Sequence, residues 1–113
     1  MTPNEHEPTY VISVAARLVG TQAQTLRYYE KMGLVSPRRS QGRIRLYSAN
    51  DIERIRRIQR MMDDLGVNLA GVEVIMRMSE RMTEMERAMR QLEDEARALR
   101  QALQTLKRAS DED

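Results

Sequence analysis

The sequence predicts a mainly α-helical fold in which a compact winged head precedes one long coiled-coil helix. Three observations predict it. Thr21–Gly33 has the length, end signals and polar stripe of a short surface helix. Arg43, Arg45 and Tyr47 alternate with Ile44 and Leu46, the period-two pattern of a strand. From Met82 to Leu106, mainly apolar residues recur at alternating steps of three and four.

Composition narrows what such a fold can do. The 113 residues fit one domain, or a small domain with an appendage. Cysteine is absent, which excludes disulfides, thiolate metal ligands and a thiol switch. The single histidine, His6, falls in a polar N-terminal stretch, so no metal site and no cofactor are expected. No apolar run approaches the roughly 18 residues needed to span a membrane, and no signal-peptide pattern precedes Tyr10. A soluble, cytoplasmic, nucleoid-associated protein is therefore expected. Net charge is +2, but residues 1–60 carry 11 Lys+Arg against 5 Asp+Glu, while residues 61–113 carry 8 against 12. A basic half joined to an acidic half suggests an anion-binding module with a separate accessory segment.

In chain order, residues 1–8 read as a disordered arm. Tyr10-Val-Ile is a short apolar lead-in, either a small strand or an N-terminal staple. Ser13 is expected to cap a helix over Val14–Val19 that ends at Gly20, with Ala15, Ala16, Leu18 and Val19 turned inward. Thr21 then reads as the N-cap of a second helix, with Gln24 completing a capping box and Gly33 as the stop. Small Ala16, then Gly20, then apolar Leu26 is the order expected of a helix-turn-helix. On the second helix Leu26 and Tyr29 pack inward, while Gln24, Arg27, Tyr28 and Lys31 form one outer stripe. Donors, positive charge and an aromatic ring suit a helix laid in a DNA major groove. A solvated helical hairpin shares the periodicity; the cationic outer face favours DNA.

The next segment strengthens that reading. Gln41-Gly42 forms a turn, and the strand after it completes a two-stranded wing. Arg38, Arg39, Arg43 and Arg45 lie within eight residues with no acidic residue among them, an arrangement suited to gripping phosphate beside the groove. Ser48-Ala-Asn-Asp51 is a capping box that opens a helix from about Ala49 to Leu65, with Ile52, Ile55, Ile58, Met62 and Leu65 as its apolar stripe. Gly66 stops it, and Asn68 caps a further helix from Leu69 to about Met78.

The last third is the most regular. Met82, Met85, Met89, Leu92, Ala96, Leu99, Leu103 and Leu106 form an unbroken a/d seam with no Gly or Pro inside. At 1.5 Å per residue it is about 37 Å long, and a seam this narrow calls for another helix, most simply that of a second copy. The expected domains are thus an arm at 1–8, the winged helix-turn-helix at 9–80, a dimerisation helix at 81–109 and a frayed tail at 110–113.

With these parts placed, the chain resembles the MerR family of bacterial transcription regulators. Thr25-Leu-Arg-Tyr-Tyr-Glu30, Gly33-Leu-Val, Pro37-Arg-Arg, Arg45-Leu-Tyr-Ser48 and Asp51-Ile carry the resemblance, which spans about Tyr10–Met78. Ile12-Ser-Val-Ala-Ala16 and Gly66-Val-Asn-Leu-Ala-Gly-Val72 look most like the heat-shock repressor branch, HspR. The latter segment is also similar to the nitrogen-regulator branch, GlnR and TnrA. The resemblance implies a homodimer on inverted-repeat double-stranded DNA, with antiparallel C-terminal helices and, in the heat-shock branch, repression of chaperone genes with the DnaK chaperone as co-repressor. It implies Arg27 and Tyr28 as reading contacts and Arg17, Arg43 and Tyr47 as phosphate contacts. Thr21, Gln22 and Thr25 join the expected DNA-facing set. Gly42 stands earlier than in the family's usual Gly-Tyr-Arg order, so wing-tip contacts do not transfer in detail. Metal-sensing members use cysteines that this chain lacks. An enzyme is not expected, since the folded region has no histidine, cysteine or phosphate-binding glycine loop. The competing reading is an adaptor whose winged head binds an acidic protein.

Overall fold

The structure is a computed structural model that describes residues 4–112. Seven elements follow in order: β1 (Pro8–Val11), α1 (Ile12–Leu18), α2 (Ala23–Lys31), β2 (Arg38–Arg39), β3 (Arg45–Ser48), α3 (Ala49–Asp63) and α4 (Leu69–Asp111). They divide into two compact units, one running through Met76 and the other beginning at Arg77.

In the first unit the helices enclose a core of aliphatic residues, methionine and two tyrosines. Ala15 and Ala16 of α1 meet Leu26 and Tyr29 of α2, and Leu34, Val35 and Tyr47 join them. Ile52, Ile55, Ile58 and Met61 of α3 close the cluster with Val72 and Met76 of α4. Each fully buried leucine or isoleucine here contributes about 1.5–3 kcal/mol, which makes α3, with its three isoleucines, the main support of the head.

Both short helices end in Schellman motifs. After α1, Gly20 takes φ +68°, and the N–H groups of Gly20 and Thr21 donate to the carbonyls of Arg17 and Ala16. After α2, Gly33 takes φ +77°, and Gly33 and Leu34 donate to Glu30 and Tyr29. These closures set the tight turn of the helix-turn-helix and direct the chain from α2 into the wing.

Helix α3 then fastens both turns from behind. The Gln59 amide donates to the Val19 carbonyl at 2.9 Å, Arg56 to the Leu18 carbonyl at 3.5 Å, and Arg54 Nε to the Leu34 carbonyl. Two arginines with the charge to reach flanking phosphates thus hold carbonyls at the ends of α1 and α2. The start of α3 is the expected capping box: Asp51 N–H donates to Ser48 Oγ at 3.0 Å, and Ser48 N–H donates to Asp51 Oδ2 at 2.9 Å.

Several sequence expectations are corrected. The loose arm expected over residues 1–8 is replaced, from residue 4 on, by a turn in which Glu7 N–H donates to Asn4 and the Glu5 carbonyl accepts from Asn50; residues 1–3 lie outside the described residues. Helix α1 starts at Ile12 behind Val11, so Ser13 is inside it. Helix α2 starts behind Gln22 with no side-chain cap, so the Thr21–Gln24 capping box does not form. The wing is part of a three-stranded antiparallel sheet, order β1-β3-β2, because β1 pairs with the other edge of β3. On α3, Met61 replaces Leu65: the helix stops at Asp63 and Leu65 turns out to 73% exposure ahead of Gly66 at φ +67°.

The largest correction concerns the C-terminal helices. The two that were expected, with a break near Met78, are one continuous helix, α4. Asn68 does cap it, accepting from Gly71 N–H at 2.8 Å. A Cβ at Gly71 would lie 2.8 Å from a Val67 methyl and 3.3 Å from Asn68 Oδ1, which explains glycine at this helical position. Ser110 and Asp111, assigned to the frayed tail, are helical, and Asp113 lies outside the described residues.

Candidate nucleic-acid interface

Helix α2 is amphipathic along its length. Leu26 and Tyr29 are buried, while Gln24, Arg27, Tyr28 and Lys31 are all exposed on the other side, Tyr28 at 50%. Arg27 Nη1 donates to Gln24 Oε1 at 3.4 Å, so two of the groups expected to meet base edges are already ordered against each other. Neither an acidic residue nor a side-chain cap occupies the first turn of α2. An uncapped, acid-free helix N-terminus is favourable for phosphate, because its N–H groups and dipole face outward. Gln22 is exposed at that N-cap, Thr21 and Thr25 are half-buried beside it, and Arg17 is exposed in the last turn of α1. The structure therefore brings Arg17, Thr21, Gln22, Gln24, Thr25, Arg27, Tyr28 and Lys31 to one helix-turn-helix.

The wing arginines divide into two groups. Arg38 is exposed on β2, and Arg43 is exposed at the hairpin tip. There Arg43 N–H donates to Ser40 and Ser40 N–H to Ile44, both at 2.9 Å, closing a three-residue loop over Gln41, Gly42 and Arg43. The last position of such a loop is normally left-handed, and Arg43 holds it at φ +65°. The glycine displaced in the sequence motif is thus one residue short of the position that needs it.

Arg39 and Arg45 are differently placed. Arg39 Nη2 and Arg45 Nε both donate to Glu30 Oε1, at 3.1 and 2.8 Å. Arg39 Nη1 also donates to the Arg43 carbonyl at 3.3 Å. The four wing arginines are thus not alike: two of them hold a carboxylate at the end of α2. Sequence reading missed Glu30. Its signal was present as the only acidic residue between His6 and Asp51 other than Glu7.

Tyr47 is also corrected. It is fully buried in the core and cannot serve as a surface phosphate contact. Its hydroxyl has no hydrogen-bond partner among the described residues. Burial, followed by the negative charge of Glu30, pushes this phenol above its ordinary range. Tyr29 is raised as well, by burial and then by Asp63.

The second unit, taken by itself, is helix throughout its described residues except Glu112. Its leucine and methionine seam residues are 58–68% exposed, from Met85 at 58% to Leu106 at 68%, and Ala96 is exposed among them. Because α4 is unbroken, the three-four spacing continues backward through exposed Met78 and Ile75. Among the described residues no three His, Cys, Asp or Glu side chains converge as a metal set, and no helix is long and apolar enough to cross a membrane.

Comparison with known proteins bears on the family and the fold. Residues 10–79 match the MerR HTH family regulatory protein model. The heat shock protein HspR of Streptomyces coelicolor is 50% identical over 82 residues, covering 73% of this chain and 54% of that protein. The transcriptional regulator GlnR of Bacillus anthracis is 38% identical over 77 residues, covering 68% of this chain and 59% of its own length. The chain thus spans little more than half the length of these relatives. Among solved structures, a MerR-family regulator from Bacillus cereus is similar with a TM-score of 0.55 at 27% identity, covering 79% of this chain and 72% of that one. HiNmlR, a MerR family regulator lacking the sensor domain and bound to promoter DNA, shares the fold with a TM-score of 0.56 at 22% identity, covering 83% and 77%. By sequence and by fold, the chain belongs to the MerR HTH family of regulatory proteins.

Proposed function

We propose that this chain is a sequence-specific DNA-binding repressor of the heat-shock type, acting as a homodimer on inverted-repeat operators. The observation that carries the reading is the outer face of α2. Gln24, Arg27, Tyr28 and Lys31 stand exposed together on the second helix of a helix-turn-helix, with the exposed wing arginines Arg38 and Arg43 in the same unit. Such a face offers bidentate donors for guanine and adenine edges, and the wing supplies phosphate contacts that fix register. The exposed seam from Met82 to Leu106 supports pairing of two copies, since an apolar stripe this long and narrow is covered by a second helix.

The 50% identity to a heat shock protein HspR supports the heat-shock branch. In that branch the DnaK chaperone is the co-repressor, so spare chaperone feeds back on its own synthesis. A second reading, a regulator of nitrogen metabolism, is favoured by the Gly66–Val72 segment and by the 38% identity to GlnR. Titrating a duplex selected by the chain itself, with and without purified DnaK, separates them. Tighter binding with the chaperone is expected for the heat-shock reading; unchanged affinity assigns the chain to another MerR-type regulon.

A further inference from the structure

We propose that Glu30 is a positioning residue that withholds two wing arginines from DNA, lowering the chain's affinity for duplexes of any sequence and so sharpening its choice of site. The inference rests on the DNA-binding reading above. One oxygen, Glu30 Oε1, accepts from Arg39 Nη2 at 3.1 Å and from Arg45 Nε at 2.8 Å. The side chains of Arg45 and Glu30 are 24% and 22% exposed, so this contact is shielded from salt more than an open surface pair; Arg39 is at 46%. Glu30 is in the last turn of α2, whereas Arg39 and Arg45 are partners across β2 and β3. The carboxylate therefore does two things at once. It ties the end of the reading helix to both strands of the wing. It also takes one donor of each guanidinium, Arg39 Nη2 and Arg45 Nε, and orients both away from a phosphate they would otherwise meet.

The charge arithmetic gives the direction. With Glu30 in place, the three groups carry a net charge of +1; without it they carry +2, and both guanidiniums are released. Each phosphate neutralised steepens the dependence of log K on log salt by about 0.9 on duplex DNA. Phosphate contacts carry no sequence information, so freeing two arginines raises binding to every duplex while the α2 contacts remain as they were.

The test is the salt dependence of full-chain binding to two duplexes, one selected by the wild-type chain from a random pool and one of unrelated sequence. Glu30→Gln is expected to bind the unrelated duplex several-fold more tightly, to steepen its salt slope by about one to two units, and to narrow the ratio between the duplexes. Glu30→Asp, which keeps the charge, is expected to restore much of the wild-type slope. Arg39→Gln, an exposed change that leaves the core untouched, is expected to keep the wild-type slope, because Arg39 is not on phosphate while Glu30 holds it. A Glu30→Gln slope equal to wild type, or an Arg39→Gln slope flatter by about one unit, overturns the proposal even though wild type binds DNA. Wild type that binds neither duplex overturns the DNA-binding reading itself, and this inference with it.

Discussion

Arg43→Gly is predicted to make the protein more stable and a weaker DNA binder. Arg43 holds φ +65° at the close of the wing loop. For a residue with a Cβ that conformation costs roughly 1–2 kcal/mol, and glycine avoids the cost. Glycine loses more chain entropy on folding, about 0.5–1 kcal/mol, which offsets part of the gain. The conformational strain is the larger of the two, leaving a net gain of about 0.5–1 kcal/mol. Urea unfolding at fixed protomer concentration should show it as a midpoint shift of a few tenths of a molar at unchanged slope. Duplex titration should show the opposite sign: weaker binding to all sequences and a salt slope flatter by about one unit. Arg43→Ala separates the two effects, because it removes the charge but keeps the backbone strain. It should lose the same slope with no gain in stability. Arg43→Gly that is less stable than Arg43→Ala would refute the strain argument, and an unchanged salt slope would refute the phosphate contact.

Other perturbations address other parts. Leu99→Asp puts a charge in the middle of the seam; with about 1.5–3 kcal/mol lost per protomer before any charge penalty, sedimentation should show a monomer where wild type is dimeric, and a persistent dimer would place the interface elsewhere. Tyr47→Phe removes a buried hydroxyl with no partner, so thermal unfolding at neutral pH should show equal or greater stability, by up to about 1–3 kcal/mol. The same phenol is raised above its ordinary value of about 10, so its contribution is fully present below that pH and is lost as pH rises through the higher folded value. Wild type should therefore lose stability more steeply above about pH 10 than Tyr47→Phe, and parallel curves would argue against the burial. Gly71→Ala should cost about 1 kcal/mol in urea unfolding, because its Cβ would push Val67 and the Asn68 cap apart; a stabilised variant would show that the turn before α4 yields easily.

The legible part of this chain was whatever local pattern determines. The strand after Gly42, the Ser48–Asp51 capping box, the inward Leu26 and Tyr29 and the outward Arg27 and Lys31 all follow from periodicity and short-range hydrogen bonding, and the structure has them. The two-faced alternation from Arg43 to Tyr47 does not hold, because the strand starts at Arg45, Ile44 is exposed and Tyr47 is buried. The misreadings share a different cause. Thr21 has the side chain of an N-cap, but the Gly20–Thr21 hydrogen bonds to α1 occupy that stretch and shift the start of α2 to Gln22. Leu65 extends the apolar stripe of α3 on paper, yet the helix ends at Asp63, ahead of the turn at Gly66, while Met62 packs against the core as expected. No break separates the head helix from the seam helix because nothing between Met78 and Met82 stops a helix; only the change from the apolar spacing of Leu69–Met78 to the a/d seam suggests one. Tyr47 is a phosphate contact by motif resemblance, and its place in the hydrophobic core of the head decides otherwise. Glu30 stands out in sequence as an isolated acid in the basic half, but its partners are distant in the chain, and only the fold brings Arg39 and Arg45 to it.

The central claim is that the outer face of α2 reads DNA sequence. It is tested most directly by titrating wild type and Arg27→Ala against the selected duplex and the unrelated one at a single salt concentration. The account predicts that Arg27→Ala loses about 1–3 kcal/mol on the selected duplex and much less on the unrelated one, so that discrimination collapses. Equal binding of wild type and Arg27→Ala to both duplexes would contradict it.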